Sequence, residues 1–270
     1  MRISFFFLFY CLCIPFITNA IADQKDGKKS KWKGFERHDF IHEDLKCILV
    51  VPENPAEGLP WVWRARFFGH QPQADVELLK KGFHLAYCDV SGLFGNEVAV
   101  NRWDRFYKMI TKSRGLSKRP ALEGMSRGGL IIYNWASKNP DKVSCIYGDA
   151  PVCDIRSWPG GKGKGKGGGS GWQQALKAHG ITDDQSVSAK VSPIDKLVPI
   201  AKAKIPILHV LGAADKVVPV EENSAIIEKR YRELGGSIQI ISKPGIGHHP
   251  HALKDPKPIV DFIVEHCMKL

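Results

Sequence analysis

The chain has 270 residues, 43% of them hydrophobic and 25% charged, with a formal net charge of +11. That length and balance suit one large globular domain with a sizeable core and exclude a disordered or fibrous chain. The positive surplus is partly local, in Lys25, Lys28, Lys29, Lys31 and Lys33 and again in Lys162, Lys164 and Lys166. No helix carries a basic stripe and no aromatic-basic module is present, so a nucleic-acid reader is excluded.

Residues 1–22 read as a cleavable export signal. Arg2 precedes an almost wholly apolar run from Ile3 to Ile17, and Ala20-Ile21-Ala22 supplies small residues at the cleavage positions. The run is too short to span a bilayer comfortably, and neither Tyr10 nor Leu12 is the small residue a lipid-attachment cysteine requires before it. The expectation is a secreted or periplasmic protein. Residues 23–34 read as a basic, disordered tail, and residues 35–270 as the folded domain. Five cysteines follow the signal, so at least one stays a thiol even under oxidation. Cys47, Cys88 and Cys145 lie in apolar runs and are expected in the core. No Cys/His cluster has zinc spacing.

Short apolar runs closed by turn residues then alternate with helical patterns. Strands are expected at 45–51, 61–68, 83–90, 143–147, 205–211 and 237–242, with one more leading into the turn at Gly124-Met125-Ser126. Helices are expected at 74–81, 97–113, 221–234 and 256–269, with one more after residue 126. In the second of these Trp103, Phe106, Tyr107 and Ile110 recur at helical spacing and should face the core. Such alternation implies a mostly parallel sheet with helices on both faces, with reacting groups at the carboxyl ends of the strands. Residues 153–203 contain no strand, and 160–171 are mostly glycine interspersed with lysine. This insertion reads as a lid or as a surface linker, and Gly171–His179 as a segment that covers substrate.

The stretch Pro120-Ala121-Leu122-Glu123-Gly124-Met125-Ser126-Arg127-Gly128-Gly129 carries the chemistry. It reads as strand, tight turn and helix, with Gly-x-Ser-x-Gly at the turn. Such a turn lifts a serine hydroxyl clear of the sheet, and the following helix offers the Arg127 N–H to an oxyanion. A serine nucleophile needs a base and an acid that orients it. Asp215 follows a strand in Gly212-Ala213-Ala214-Asp215-Lys216-Val217-Val218-Pro219, with Asp149 and Asp154 as rival acids. His248 follows the last strand in Gly245-Ile246-Gly247-His248-His249-Pro250-His251, with His249 and His251 as rival bases.

These three segments, in this order, resemble the α/β-hydrolase superfamily near its prolyl-oligopeptidase-like and acetyl-xylan-esterase-like branches, over residues 45–270. The resemblance implies an α/β-hydrolase fold, with Ser126 as nucleophile, Asp215 as acid and His248 as base. Gly69 or His70 would supply the second oxyanion donor, where relatives carry His-Gly-Gly and this chain has Phe68-Gly69-His70. Gly-Met-Ser-Arg-Gly-Gly is also similar to the serine motif of glucuronoyl esterases, though without the lysine that usually follows. With Arg64, Arg66, Arg102 and Arg105 on segments near the sheet edge it implies a site for a uronic-acid ester, against the plainer reading of these arginines as salt-bridge partners, and Arg64, Arg66 and His251 are the expected substrate contacts. The expected function is acyl-enzyme hydrolysis of an ester on a polysaccharide, acetyl, methyl or glucuronoyl. A small serine peptidase and a non-catalytic binding protein of the same fold are the alternatives. No metal or organic cofactor is implied.

Overall fold

The computed structural model describes residues 27–268, so the export signal and the first part of the basic tail lie outside the described residues. The strands are β1 (Lys28–Trp32), β2 (Phe35–His42), β3 (Leu45–Val51), β4 (Trp61–Ala65), β5 (His84–Cys88), β6 (Ala121–Met125), β7 (Cys145–Asp149), β8 (Ile207–Gly212) and β9 (Ile238–Lys243). They form one sheet in the order β1-β2-β3-β5-β4-β6-β7-β8-β9. From β1 to β5 the pairings are antiparallel, and from β5 through β4 to β9 they are parallel. The helices are α1 (Gln73–Lys80), α2 (Glu97–Ser113), α3 (Gly128–Lys138), α4 (Gly171–His179), α5 (Leu197–Lys202), α6 (Ser224–Glu233) and α7 (Lys257–Cys267).

Both faces of the parallel half are covered, which is why its inner strands β4, β6, β7 and β8 are buried throughout rather than alternating. On one face α1 and α7 bury Leu78, Leu79, Ile259 and Ile263 against Val62, Leu85 and Leu208. On the other, α2 and α3 pack a tryptophan cluster in which Trp63 and Trp103 stack at 4.0 Å and Trp135 meets Trp63 edge-on at 5.0 Å. The periodic face expected of residues 97–113 is the one that is buried, and Asn96 caps that helix by accepting the Ala99 N–H.

The first strand is a correction. Residues 28–32, expected in a disordered tail, pair with β2 as the outermost strand. Lysine suits an exposed edge because it discourages another chain from adding to the sheet. Trp32 turns inward onto Phe68 at 5.2 Å, so this hairpin reaches the loop after β4.

The segment 153–203 is ordered around α4 and α5 and has no strand. Trp172, Ala175 and Leu176 of α4 pack with Phe94, Leu130 and Val152, so α4 supports α3 instead of covering substrate as expected. All five cysteines among the described residues are thiols, and Cys47, Cys88 and Cys145 are buried.

Candidate active site

Ser126 stands at the carboxyl end of β6 with φ of 50°, a left-handed conformation that disfavours any residue with a Cβ. The surroundings hold it there. Its N–H donates to the Asp149 carbonyl at 2.8 Å, and its carbonyl accepts from Gly129 and Val152 at 2.9 Å each. The flanking glycines follow from close approach. A Cβ on Gly124 would sit 2.5 Å from the Ile132 side chain and 2.9 Å from the Gly128 carbonyl oxygen, and one on Gly128 would sit 2.5 Å from the Ala65 carbonyl oxygen. Strand, turn and helix meet backbone to backbone at this point.

The acid and base loops are joined in the same way. Ala214 N–H donates to the Ile246 carbonyl at 2.8 Å, and Ala213 N–H to that of Lys243 at 3.0 Å. A Cβ on Gly212 would collide with the Gly247 carbonyl. The two loops thereby present Asp215 and His248 to each other. His248 Nδ1 lies 2.7 Å from Asp215 Oδ2, and its Nε2 lies 3.0 Å from Ser126 Oγ. Asp215 Oδ1 accepts the N–H groups of Val217 and Val218, each at 2.9 Å. Burial alone would raise the Asp215 pKa. The hydrogen bonds from His248 and from these amides outweigh it and hold the carboxyl below its ordinary value.

Of the rival acids, Asp149 binds His251 Nδ1 at 3.0 Å and the Ala252 N–H at 2.6 Å, and Asp154 binds the Arg156 guanidinium at 2.8 Å. His251 is thus a buried histidine oriented by its own carboxylate. Its ring stands 4.7 Å from that of His248 and 6.1 Å from that of His70. His249 is exposed; partial burial and its histidine neighbours lower its pKa. Nitrogens of His248, His249 and His251 lie within 4.8 Å of one another, a spacing that could hold a metal ion. Such an ion would have to take His248 from Ser126 or Asp215.

A cavity of about 330 Å³ opens over Ser126, walled by Phe67, Met125, Arg127, Trp158 and Val217 and by the histidines 70, 248, 249 and 251. Trp158 is the insertion's contribution to this wall. Three expectations change here. His70 N–H is engaged by the Phe67 carbonyl at 3.0 Å, so it is not available as an oxyanion donor. Gly69 lies 3.5 Å beneath the Trp32 indole nitrogen, measured from its Cβ position, and is not in the cavity wall. Phe67, with φ of 47°, joins His70 of that loop in the cavity wall over the serine, and no sequence feature singled it out.

Arg64 is the third correction. It is only 1% exposed, paired with Asp75 and with Glu123 at 2.9 Å, and it donates to the His70 carbonyl. Burial would lower its pKa, but the two carboxylates more than offset this and raise it. Glu123 is pushed well above its ordinary range by burial, against the attraction of Arg64. Arg64 therefore braces the loop beneath the cavity rather than touching substrate. Arg66 lies beside Arg127 in an adjoining notch. Arg102 and Arg105 pair with Asp44 and Glu43, the plainer of the two readings.

A serine on a left-handed turn after a parallel strand, with acid and base on the loops after β8 and β9, is the arrangement of the α/β hydrolases, and the chain has that fold. Residues 106–269 match the prolyl oligopeptidase family, to which the chain belongs. No curated protein matches it. Among solved structures it resembles a puromycin hydrolase (17% identity, TM-score 0.62, covering 80% of this chain and 35% of that one). It also resembles the acylaminoacyl peptidase of Pyrococcus horikoshii (16%, TM-score 0.66, covering 87% and 42%). An S-formylglutathione hydrolase from Agrobacterium tumefaciens matches at 14% identity and TM-score 0.62, covering 90% of this chain and 96% of that one. The chain thus spans less than half the length of the first two proteins and nearly all of the last. At these identities the likeness is one of fold.

Proposed function

We propose that the protein is an exported serine hydrolase that cleaves a carboxylic ester, borne by a polysaccharide, through an acyl-enzyme. The observation that carries this reading is the continuous hydrogen-bonded series Ser126–His248–Asp215 at the floor of an open cavity. His248 Nε2 takes the Ser126 proton as Oγ attacks the carbonyl and returns it to the leaving alcohol. A water activated by the same nitrogen then releases the acid. Asp215 keeps the imidazole proton on Nδ1. The Arg127 N–H at the start of α3 and a backbone N–H of the loop around Phe67 stabilise the tetrahedral oxyanion. His251, held by Asp149, contacts substrate from the opposite wall.

The test is hydrolysis of 4-nitrophenyl acetate by the wild type and Ser126→Ala between pH 5 and 9. Activity that disappears in a folded Ser126→Ala protein supports the reading, and equal rates from both proteins overturn it. Acetylated, methylated and glucuronoylated polysaccharides then identify the ester. Sequencing the N-terminus of exported protein tests removal of residues 1–22.

A small serine peptidase is the second reading, favoured by membership of the prolyl oligopeptidase family. Aminoacyl 4-nitroanilides, assayed beside the esters, separate the two. Fluorophosphonate labelling separates either from a non-catalytic binding protein.

A further inference from the structure

Next to the serine the cavity wall carries Arg127, and the adjoining notch brings Arg66 up beside it; neither lining includes a carboxylate. The Arg127 guanidinium lies 5.6 Å from the centre of the Phe67 ring and 5.6 Å from that of Trp158. The Arg66 guanidinium lies 5.0 Å from the same Phe67 ring. Two like charges therefore lie against one aromatic ring and line the same notch, and both are partly withdrawn from water.

Elsewhere this chain pairs its arginines, Arg37 with Asp39, Arg156 with Asp154 and Arg232 with Glu228. Among the described residues Arg66 and Arg127 have no such partner. The Arg66 Nε is buried and makes no hydrogen bond. Asp89 feels the charge of Arg66, but its Oδ1 is taken by the Ser91 N–H at 2.9 Å and the Tyr87 hydroxyl at 3.2 Å. Burial, and then the charge of Arg66, lowers the pKa of Arg127. Arg127 also sits at the positive end of α3. A guanidinium presents donors in a planar fork that matches a carboxylate. Holding two of them together beside a nucleophile is unfavourable until an anion arrives.

We propose that Arg66 and Arg127 form a carboxylate subsite beside Ser126, selecting substrates with a free acid group close to the scissile ester, as an acidic sugar chain would present. Its catalytic consequence rests on the serine hydrolase reading; its ligand binding does not.

Two measurements test the subsite separately from the chemistry. The first is kcat/KM for 4-nitrophenyl hexanoate and for the mono-4-nitrophenyl ester of adipic acid, which differ by a terminal carboxylate. The wild type should prefer the acid-bearing ester. Arg66→Gln and Arg127→Gln should each lower that preference at least tenfold, chiefly through KM, and Arg66→Lys should retain part of it. A preference within twofold of wild type in both folded glutamine variants overturns the proposal. So does stronger preference for a terminal sulfonate, which would indicate a tetrahedral anion in place of a carboxylate.

The second measurement is calorimetric binding of glucuronate and glucose to Ser126→Ala. Glucuronate bound at least tenfold more tightly, with the difference lost on adding Arg66→Gln, supports the subsite even if neither ester is hydrolysed by wild type. That pattern would sink the hydrolase reading alone. Equal binding of the two sugars, or none, overturns the subsite.

Discussion

Asp215→Asn isolates what the acid contributes, because the structure fixes how the new side chain must sit. Asp215 Oδ1 accepts two amide N–H groups, from Val217 and Val218, and Oδ2 faces His248 Nδ1. An asparagine must keep its oxygen toward the two amides, since its NH₂ cannot accept from them. The NH₂ then points at Nδ1 and obliges that nitrogen to be the acceptor. The imidazole proton moves to Nε2, which faces Ser126 Oγ at 3.0 Å and can no longer take the serine proton. The equivalent tautomer error in a serine protease triad lowers kcat about 10⁴-fold, roughly 5.5 kcal/mol of transition-state stabilisation. A loss of similar size is expected here. Both amide bonds survive, so the melting temperature should change little. Because Asp215 acts through His248, the pH profile is the diagnostic readout. The variant should lose the wild-type plateau and recover rate only in alkali. A kcat reduced less than tenfold with an unchanged profile would refute this account of the site.

Three further outcomes are expected. His209 is fully buried between the Tyr133 hydroxyl at 2.7 Å and Ser224 Oγ at 3.0 Å, and burial pushes its pKa down to about 3. The unfolded chain takes up this proton near pH 6.5, so stability should fall by about 1.4 kcal/mol per pH unit from 6.5 toward 3. Denaturant melts should show that slope, reduced by the same amount in His209→Gln. Gly128→Ala places a Cβ 2.5 Å from the Ala65 carbonyl oxygen and should cost about 1–3 kcal/mol together with much of the hydrolase rate. An unchanged melt would mean that strand and helix can part there. Arg64→Met strands Asp75 and Glu123 in the core and should cost about 3–5 kcal/mol by denaturant titration. Adding Glu123→Gln should restore part of the loss.

What the sequence makes legible is what depends on local pattern. β3 is a short apolar run and α2 an apolar-periodic one, so both fall where the sequence pattern puts them, and Ser126, Asp215 and His248 each follow a strand at a glycine-marked turn. Pairings across long separations leave no such mark. Arg64 resembles any strand-borne arginine until Glu123, 59 residues later, meets it in the core. Asp149 is set apart from Asp215 by His251, 102 residues away. Strand β1 has a tail's composition because it is an edge strand whose four lysine and serine residues all face solvent. Phe67 escapes notice because its role comes from a left-handed backbone, which a phenylalanine does not announce.

The tryptophan of the outermost hairpin, resting on the loop after β4, belongs with that loop to the part of the chain before residue 106. Ser126, Asp215 and His248 all lie within 106–269, the span shared with the family. The floor on which they act does not, because β4, which sits between β5 and β6, comes from the preceding segment, as do Arg66 and Phe67. The reacting groups are thus seated on a frame drawn partly from outside that span. Changes before residue 106 can re-aim the entrance and retune what is admitted while the proton-transfer machinery keeps its spacing. A fragment cut at the family boundary would hold every reacting group and lack the strand that keeps them in register.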